Sequence, residues 1–228
     1  MLYVFLVLAL LASCALTWAA SGFATLHALW QVPIFFAGGF LVLVSCLFVD
    51  PKKLLEKPSG YFRFLLNEFC RLALALGGVH VNVTGLEKVP RDSRFLLVSN
   101  HRFAFDPLVF YSSMPWADLA FLSKKENFSI FVVAQIMRKV LCLPVDRNND
   151  RESLKSILKA IQFIKDDKAS IAVFPEGRTN RTADPLLPYR CGVFKIAQKA
   201  NVPIVICSLV NSRAILRNMF RKHTEVWL

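Results

Sequence analysis

From residue 79 onward, short apolar runs alternate with stretches whose apolar positions recur at helical spacing. VHVNVT (79–84) alternates in the manner of a half-buried strand, and RFLLVS (94–99), LAFLS (119–123), VLCLPV (140–145), SIAVF (170–174) and PIVICSLV (203–210) are apolar enough to be strands of a buried sheet. Between them the pattern predicts helices over 107–113, 127–139, 151–165 and 192–200. The third carries a stripe at Leu154, Ile157, Leu158, Ile161 and Ile164 that reads as core. Strand and helix in alternation predict an α/β domain, a mixed central sheet flanked by helices, with functional residues at strand ends. Gly77 and Gly78 close a preceding helix, Tyr61–Leu76. Its polar residues 63, 67, 68 and 71 make it amphipathic, lying either on a membrane or on the body. Near the other end, Arg213, Arg217 and Arg221 recur every four residues opposite Ile215, Leu216, Met219 and Phe220, a short helix with a basic face. TEVWL then begins a strand.

Residues 1–49 break this pattern, for they contain no Asp, Glu, Lys or Arg. Leu2–Ala20 and Val32–Val49 are apolar runs near the lower length for crossing a bilayer, and together they predict a helical hairpin that either spans or dips into one leaflet. LASC (11–14) has the look of a lipoprotein cleavage site but lacks the basic residues a signal peptide carries ahead of it. Lys52, Lys53 and Lys57 follow the second run, which puts the body on the cytoplasmic side. The chain thus divides into an anchoring hairpin (1–57), an interfacial helix (58–78) and a catalytic domain (79–228).

All 28 basic and 16 acidic residues lie beyond position 49, so the net charge of +12 belongs to the body and favours anionic partners. The six cysteines form no CxxC pair. Neither a disulfide framework nor a zinc site is expected, and no metal.

Candidate chemistry concentrates in SNHRFAFDPLVF (99–110), a polar break between strand and helix. His101 and Asp106 would lie about 140° apart around a continuous helix, so the segment is read as a turn that lets Asp106 orient the imidazole of a general base. Asp106 ahead of Pro107 also suits a helix N-cap, and both readings stand.

Three further blocks follow NHRFAFD (100–106): LPVDR (143–147), FPEG (174–177) and VPIV (202–205). In this order, across roughly residues 80–210, they resemble the four motifs of the glycerolipid acyltransferases. The resemblance implies a glycerol-3-phosphate acyltransferase-like domain with His101 as base, helped by Asp106. It places Arg147, Glu176 and Gly177 in acceptor recognition, Arg147 forking onto a phosphate and Glu176 bonding glycerol hydroxyls or positioning an arginine. Pro203 belongs to the acyl site. Many members read Thr then Arg after FPEG, whereas here Arg178 precedes Thr179, so either Arg178 or Arg181 meets the phosphate.

The implied activity is transfer of a fatty acyl group from acyl-CoA or acyl carrier protein to the free hydroxyl of 1-acylglycerol 3-phosphate (lysophosphatidic acid), giving phosphatidic acid. The thioester is a co-substrate and no cofactor is implied. Acylation of another lysolipid or of glycerol 3-phosphate is the alternative. Two readings from other classes are a hydrolase using Cys142 or a serine beside His101, which lacks a GxSxG elbow, and a non-catalytic module binding anionic lipid. Expected partners are a phospholipid membrane, the lysolipid and the acyl donor. No recognition motif speaks for nucleic acid, and oligomeric state is left open.

Overall fold

The computed structural model describes residues 44–48, 57–146, 149–182, 184–218 and 222–228. The chain divides into Met1–Lys53 and Leu54–Leu228. Of the first unit only 44–48 are described, with 44–47 helical, so the hairpin expected over 1–57 falls almost wholly outside the described residues, as do Arg147 in the polar turn and Met219–Arg221 of the basic helix. Among the described residues no helix is long and apolar enough to cross a membrane.

The second unit is built on five strands: β2 (Leu96–Ser99), β3 (Leu119–Lys124), β4 (Leu143–Val145), β5 (Ser170–Val173) and β6 (Ile204–Cys207), ordered β4-β3-β5-β2-β6. Every pairing is parallel, Leu96 standing opposite Ile171 on β5 and Ile204 on β6. The expected mixed sheet is therefore corrected to a parallel one. The reason is burial: all four residues of β2 and of β5 are buried, as in a sheet covered on both faces by its crossover helices. A separate pair, β1 (Val79–Asn82) with β7 (Thr224–Trp227), is also parallel. An antiparallel bridge from Val210 to Trp227 ties it to the chain leaving β6.

One face packs Leu96, Val98, Ile171 and Val173 under α4 (Asp150–Lys165) and α5 (Lys195–Ala200), with Phe163 and Ile196 fully buried. Of the apolar stripe expected to face the core, Ile164 is buried and Ile157 and Ile161 pack against the core, while its two leucines lie at the edge. Leu154 and Leu158 are more than half exposed, while Ser156 and Ala160 are buried, small residues that let the helix lie close to the strands. Asn149 caps this helix through the Glu152 N–H.

On the opposite face α1 (Gly60–Leu76) packs against α2 (Asp106–Ser113) and α3 (Val133–Lys139). The helix expected over 127–139 is thus shortened to α3, its first half being a 3-10 turn, Lys125–Ser129. The polar stripe of α1 faces the body: Arg63 pairs with Asp118 at 3.0 Å, Asn67 reaches Pro115 O and Arg71 reaches Ser112 O. Burial draws the Arg63 guanidinium's pKa down, against the pull of Asp118. Phe62, Leu65, Cys70 and Leu74 are buried beside this stripe, and Phe69 and Leu76 are exposed.

Candidate active site

The parallel sheet aims the C-terminal ends of β2, β3, β4 and β5 at one edge, where a cavity of about 300 Å³ opens. Its wall includes His101, Pro107, Lys124, Phe174, Thr179 and Arg190.

His101 is the second residue after β2 and is held by its ring and by its backbone. Its Nδ1 lies 2.9 Å from Asp106 Oδ2, which also accepts the backbone N–H groups of Arg102 (2.8 Å) and Phe103 (2.9 Å). Asp106 is fully buried and begins α2. Its carboxylate turns back onto the loop rather than forward onto the helix, so the side-chain N-cap suited to the sequence is replaced by an orienting role. An oxygen taking two backbone N–H groups accepts the third contact also, so the ring proton sits on Nδ1 and Nε2 is left as the basic nitrogen. The ring stacks on Phe174, with centroids 4.1 Å apart and planes 13° off parallel. Phe174 in turn stacks on Phe121 at 5.6 Å.

Glu176 is buried, and its carboxylate faces away from substrate space. Oε1 accepts the His101 N–H at 2.8 Å and Oε2 the Leu187 N–H at 3.0 Å. Gly177 adopts φ 69°, and a Cβ there would come within 3.0 Å of Arg190 Nε and 3.1 Å of its Cδ. The loop between them is closed by Arg190 N–H donating to Pro175 O at 2.9 Å. Lys124 pairs on the surface with Glu126 at 3.1 Å.

The structure therefore brings His101, Asp106, Glu176 and Gly177 together and leaves Arg178, Arg181 and Pro203 off the cavity wall. Arg178 and Arg181 are exposed and outside the cavity wall. Pro203 precedes β6 at the opposite end of the sheet, where it lines an open groove of about 710 Å³ with Ile204, Ile206 and Trp227. Arg147 lies outside the described residues. Cys142 is not on the cavity wall. It is buried with its sulfur 3.4 Å from both Tyr111 OH and the Phe121 N–H, and burial pushes its thiol pKa up. Lys124, Arg190 and Thr179 are the residues that motif reading missed. Of these only Thr179 carried a signal, its exchanged order with Arg178. Among the described residues no group of three or more His, Cys, Asp or Glu is placed to hold a metal ion.

A family model described as Acyltransferase matches residues 80–210. The chain is 29% identical over 150 residues to a 1-acyl-sn-glycerol-3-phosphate acyltransferase of Borreliella burgdorferi, covering 65% of this chain and 59% of that one. It is 31% identical over 180 residues to a probable 1-acyl-sn-glycerol-3-phosphate acyltransferase of Mycoplasma pneumoniae, covering 75% and 66%. The chain thus spans about three fifths to two thirds of these relatives' length. The crystal structure of the 1-acyl-sn-glycerophosphate (LPA) acyltransferase PlsC from Thermotoga maritima shares the fold with a TM-score of 0.63 at 22% identity, over 84% of this chain and 75% of that one.

Proposed function

The chain belongs to the acyltransferase family, and within it we propose that this protein moves a fatty acyl group from an acyl-CoA or acyl carrier protein thioester to the free hydroxyl of 1-acylglycerol 3-phosphate. The observation that carries the reading is the His101–Asp106 pair at 2.9 Å, with His101 on the wall of a cavity that Lys124 and Arg190 also line.

The acceptor hydroxyl gives its proton to Nε2 as its oxygen adds to the thioester carbonyl. Collapse of the adduct breaks the C–S bond, and the imidazolium returns the proton to the departing sulfur. Asp106 stabilises the imidazolium and fixes the tautomer, assistance worth roughly 10² to 10⁴ in rate. Lys124 and Arg190 supply the positive charge that an acceptor phosphate needs. The acceptor-phosphate role that the motifs assign to Arg147 and Arg178 is part of the same reading, and Pro203 keeps its acyl-site role only if the acyl chain reaches the groove at the other end of the sheet. Glu176 and Gly177 serve recognition by holding the loops that carry His101 and Arg190. Residues 1–57 anchor the protein in a phospholipid membrane with the catalytic unit on the cytoplasmic side, which the positive charges after residue 50 support.

The test is to offer the purified full chain a panel of lysolipids and glycerol 3-phosphate with a labelled acyl thioester. Labelled phosphatidic acid, absent with His101→Ala, is expected. Failure to acylate any member of the panel would refute the reading.

A further inference from the structure

The group in contact with the free nitrogen of His101 is a hydroxyl of the protein itself. Thr179 Oγ1 stands 3.2 Å from Nε2, on the far side of the imidazole from Asp106. Hydroxyl, imidazole and buried carboxylate in sequence are the arrangement by which a nucleophile is activated: the base is within hydrogen-bond reach, and a third group orients the base. With Nδ1 protonated, the threonine O–H is the donor and Nε2 the acceptor, the direction that proton abstraction requires.

The contact is built in from both sides. Asn180, the next residue, donates its N–H to His101 O at 2.7 Å. The Asn180 side chain is fully buried: Oδ1 accepts from the Thr182 N–H and hydroxyl, and Nδ2 donates to Asp184 O at 2.9 Å. The peptide carrying Thr179 is thereby locked to the peptide carrying the base, while Phe174 fixes the ring plane. Thr179 and His101 both face the cavity, as do Lys124 and Arg190, whose charges suit an oxyanion formed there.

We propose that Thr179 is a nucleophile and that the site hydrolyses acyl thioesters through an acyl-threonine ester when no acceptor hydroxyl is bound. The proposal rests on the acyl-transfer reading for its thioester donor. Oγ1 forms a bond to the thioester carbonyl carbon as its proton passes to Nε2. The adduct collapses, the C–S bond breaks, and the imidazolium proton goes to sulfur, leaving free thiol and an ester on Thr179. A water molecule then gives a proton to Nε2 and adds to the ester carbonyl. The C–Oγ1 bond breaks, and the proton returns to Oγ1. The net change is thioester plus water to fatty acid plus thiol, with nothing oxidised or reduced. A lysolipid hydroxyl entering the cavity displaces the threonine from Nε2 and diverts the thioester to transfer.

The experiment incubates the full chain with palmitoyl-CoA alone. Released CoA and fatty acid are measured, and acid-quenched protein is mapped by mass spectrometry. An alkali-labile palmitoyl ester on Thr179 is expected, with stoichiometric CoA and palmitate. Thr179→Val, which keeps the shape and removes the hydroxyl, should abolish the ester and cut the ratio of hydrolysis to lysolipid transfer roughly tenfold or more, while Thr179→Ser keeps both. Hydrolysis that is equal or faster in Thr179→Val would show the hydroxyl to be only a partner of the resting base and overturn the proposal. So would an acyl group found on the exposed Cys191 instead of Thr179. A protein that acylates lysolipid but releases no CoA without it overturns this inference alone, and one that does neither overturns the acyltransferase reading as well.

Discussion

Glu176 holds His101 by its backbone and not by its ring: Oε1 takes the His101 N–H at 2.8 Å, while Oε2 takes the Leu187 N–H at 3.0 Å. Each bond to the buried carboxylate is worth about 1.5–3 kcal/mol, and removing it strands an N–H away from water. Glu176→Ala is expected to cost about 3 kcal/mol, seen as a fall of roughly 6–12 °C in Tm, with kcat reduced because the base moves with its backbone. Glu176→Gln should fall between, since its amide nitrogen opposes one of the two donors. Full activity and wild-type Tm in Glu176→Ala would contradict this role.

Asp106→Asn separates orientation from charge. An amide oxygen still accepts the N–H groups of Arg102 and Phe103, so the loop should survive while stabilisation of the imidazolium is lost. The expected outcome is a fall in kcat of about 10² or more with substrate KM within about threefold. The double variant with His101→Ala should be little slower than His101→Ala alone, because the pair acts as a unit. Multiplicative losses would show that the two act independently.

Arg190 faces the cavity and Arg181 does not. Arg190→Ala should therefore raise KM for a phosphorylated acceptor about tenfold to a hundredfold, whereas Arg181→Ala should change it by less than about threefold. Gly177→Ala should share part of the Arg190 effect, because its Cβ would press on that side chain at 3.0 Å and adds the strain of φ 69°. Initial-rate kinetics on the three variants decides it, and a larger effect from Arg181 reverses the assignment.

Burial pushes the Cys70 thiol up to about 12. An unfolded cysteine ionises near 8.5, so folding is opposed once the unfolded thiol can lose its proton. Stability from this group is full below about pH 8.5 and declines toward pH 12 by about 1.4 kcal/mol per pH unit. Denaturant melts at pH 8, 9 and 10 should show a shallower decline in Cys70→Ala than in the parent. Parallel slopes would rule out the contribution.

The dyad was legible because a histidine and an aspartate in a polar break after an apolar strand have few arrangements, and a turn is one that joins them. Strand positions were legible for the same reason, though direction was not. A run such as SIAV says that both faces are buried and leaves the neighbour's polarity to the crossovers. The stripe of α4 held for Ile157, Ile161 and Ile164 but not for Leu154 and Leu158, because small residues, Ser156 and Ala160, win the close approach to a sheet over larger ones that remain at the flank. Glu176 was legible as a motif residue, but a motif shows which residue is present and not that both its carboxylate oxygens are filled by backbone N–H groups. Arg190 gave no signal: it reaches the cavity only because a 14-residue loop folds back to Pro175 O.

The strand that leads to the base pairs with partners far along the chain, Leu96 sitting opposite Ile171 and Ile204, and β1 does the same, Val79 sitting opposite Thr224. During synthesis from the N-terminus, β2 therefore waits for more than a hundred residues before its second neighbour exists. Closing such long loops is slow, and until it happens the apolar strand has unpaired edges. Ribosome-arrested chains ending before β6 should stay protease-sensitive and bind chaperones that shield exposed hydrophobic segments. Emergence of β6 and β7 from the exit tunnel should give protease resistance in one late step, so that the folded unit appears only once these distant partners have been made.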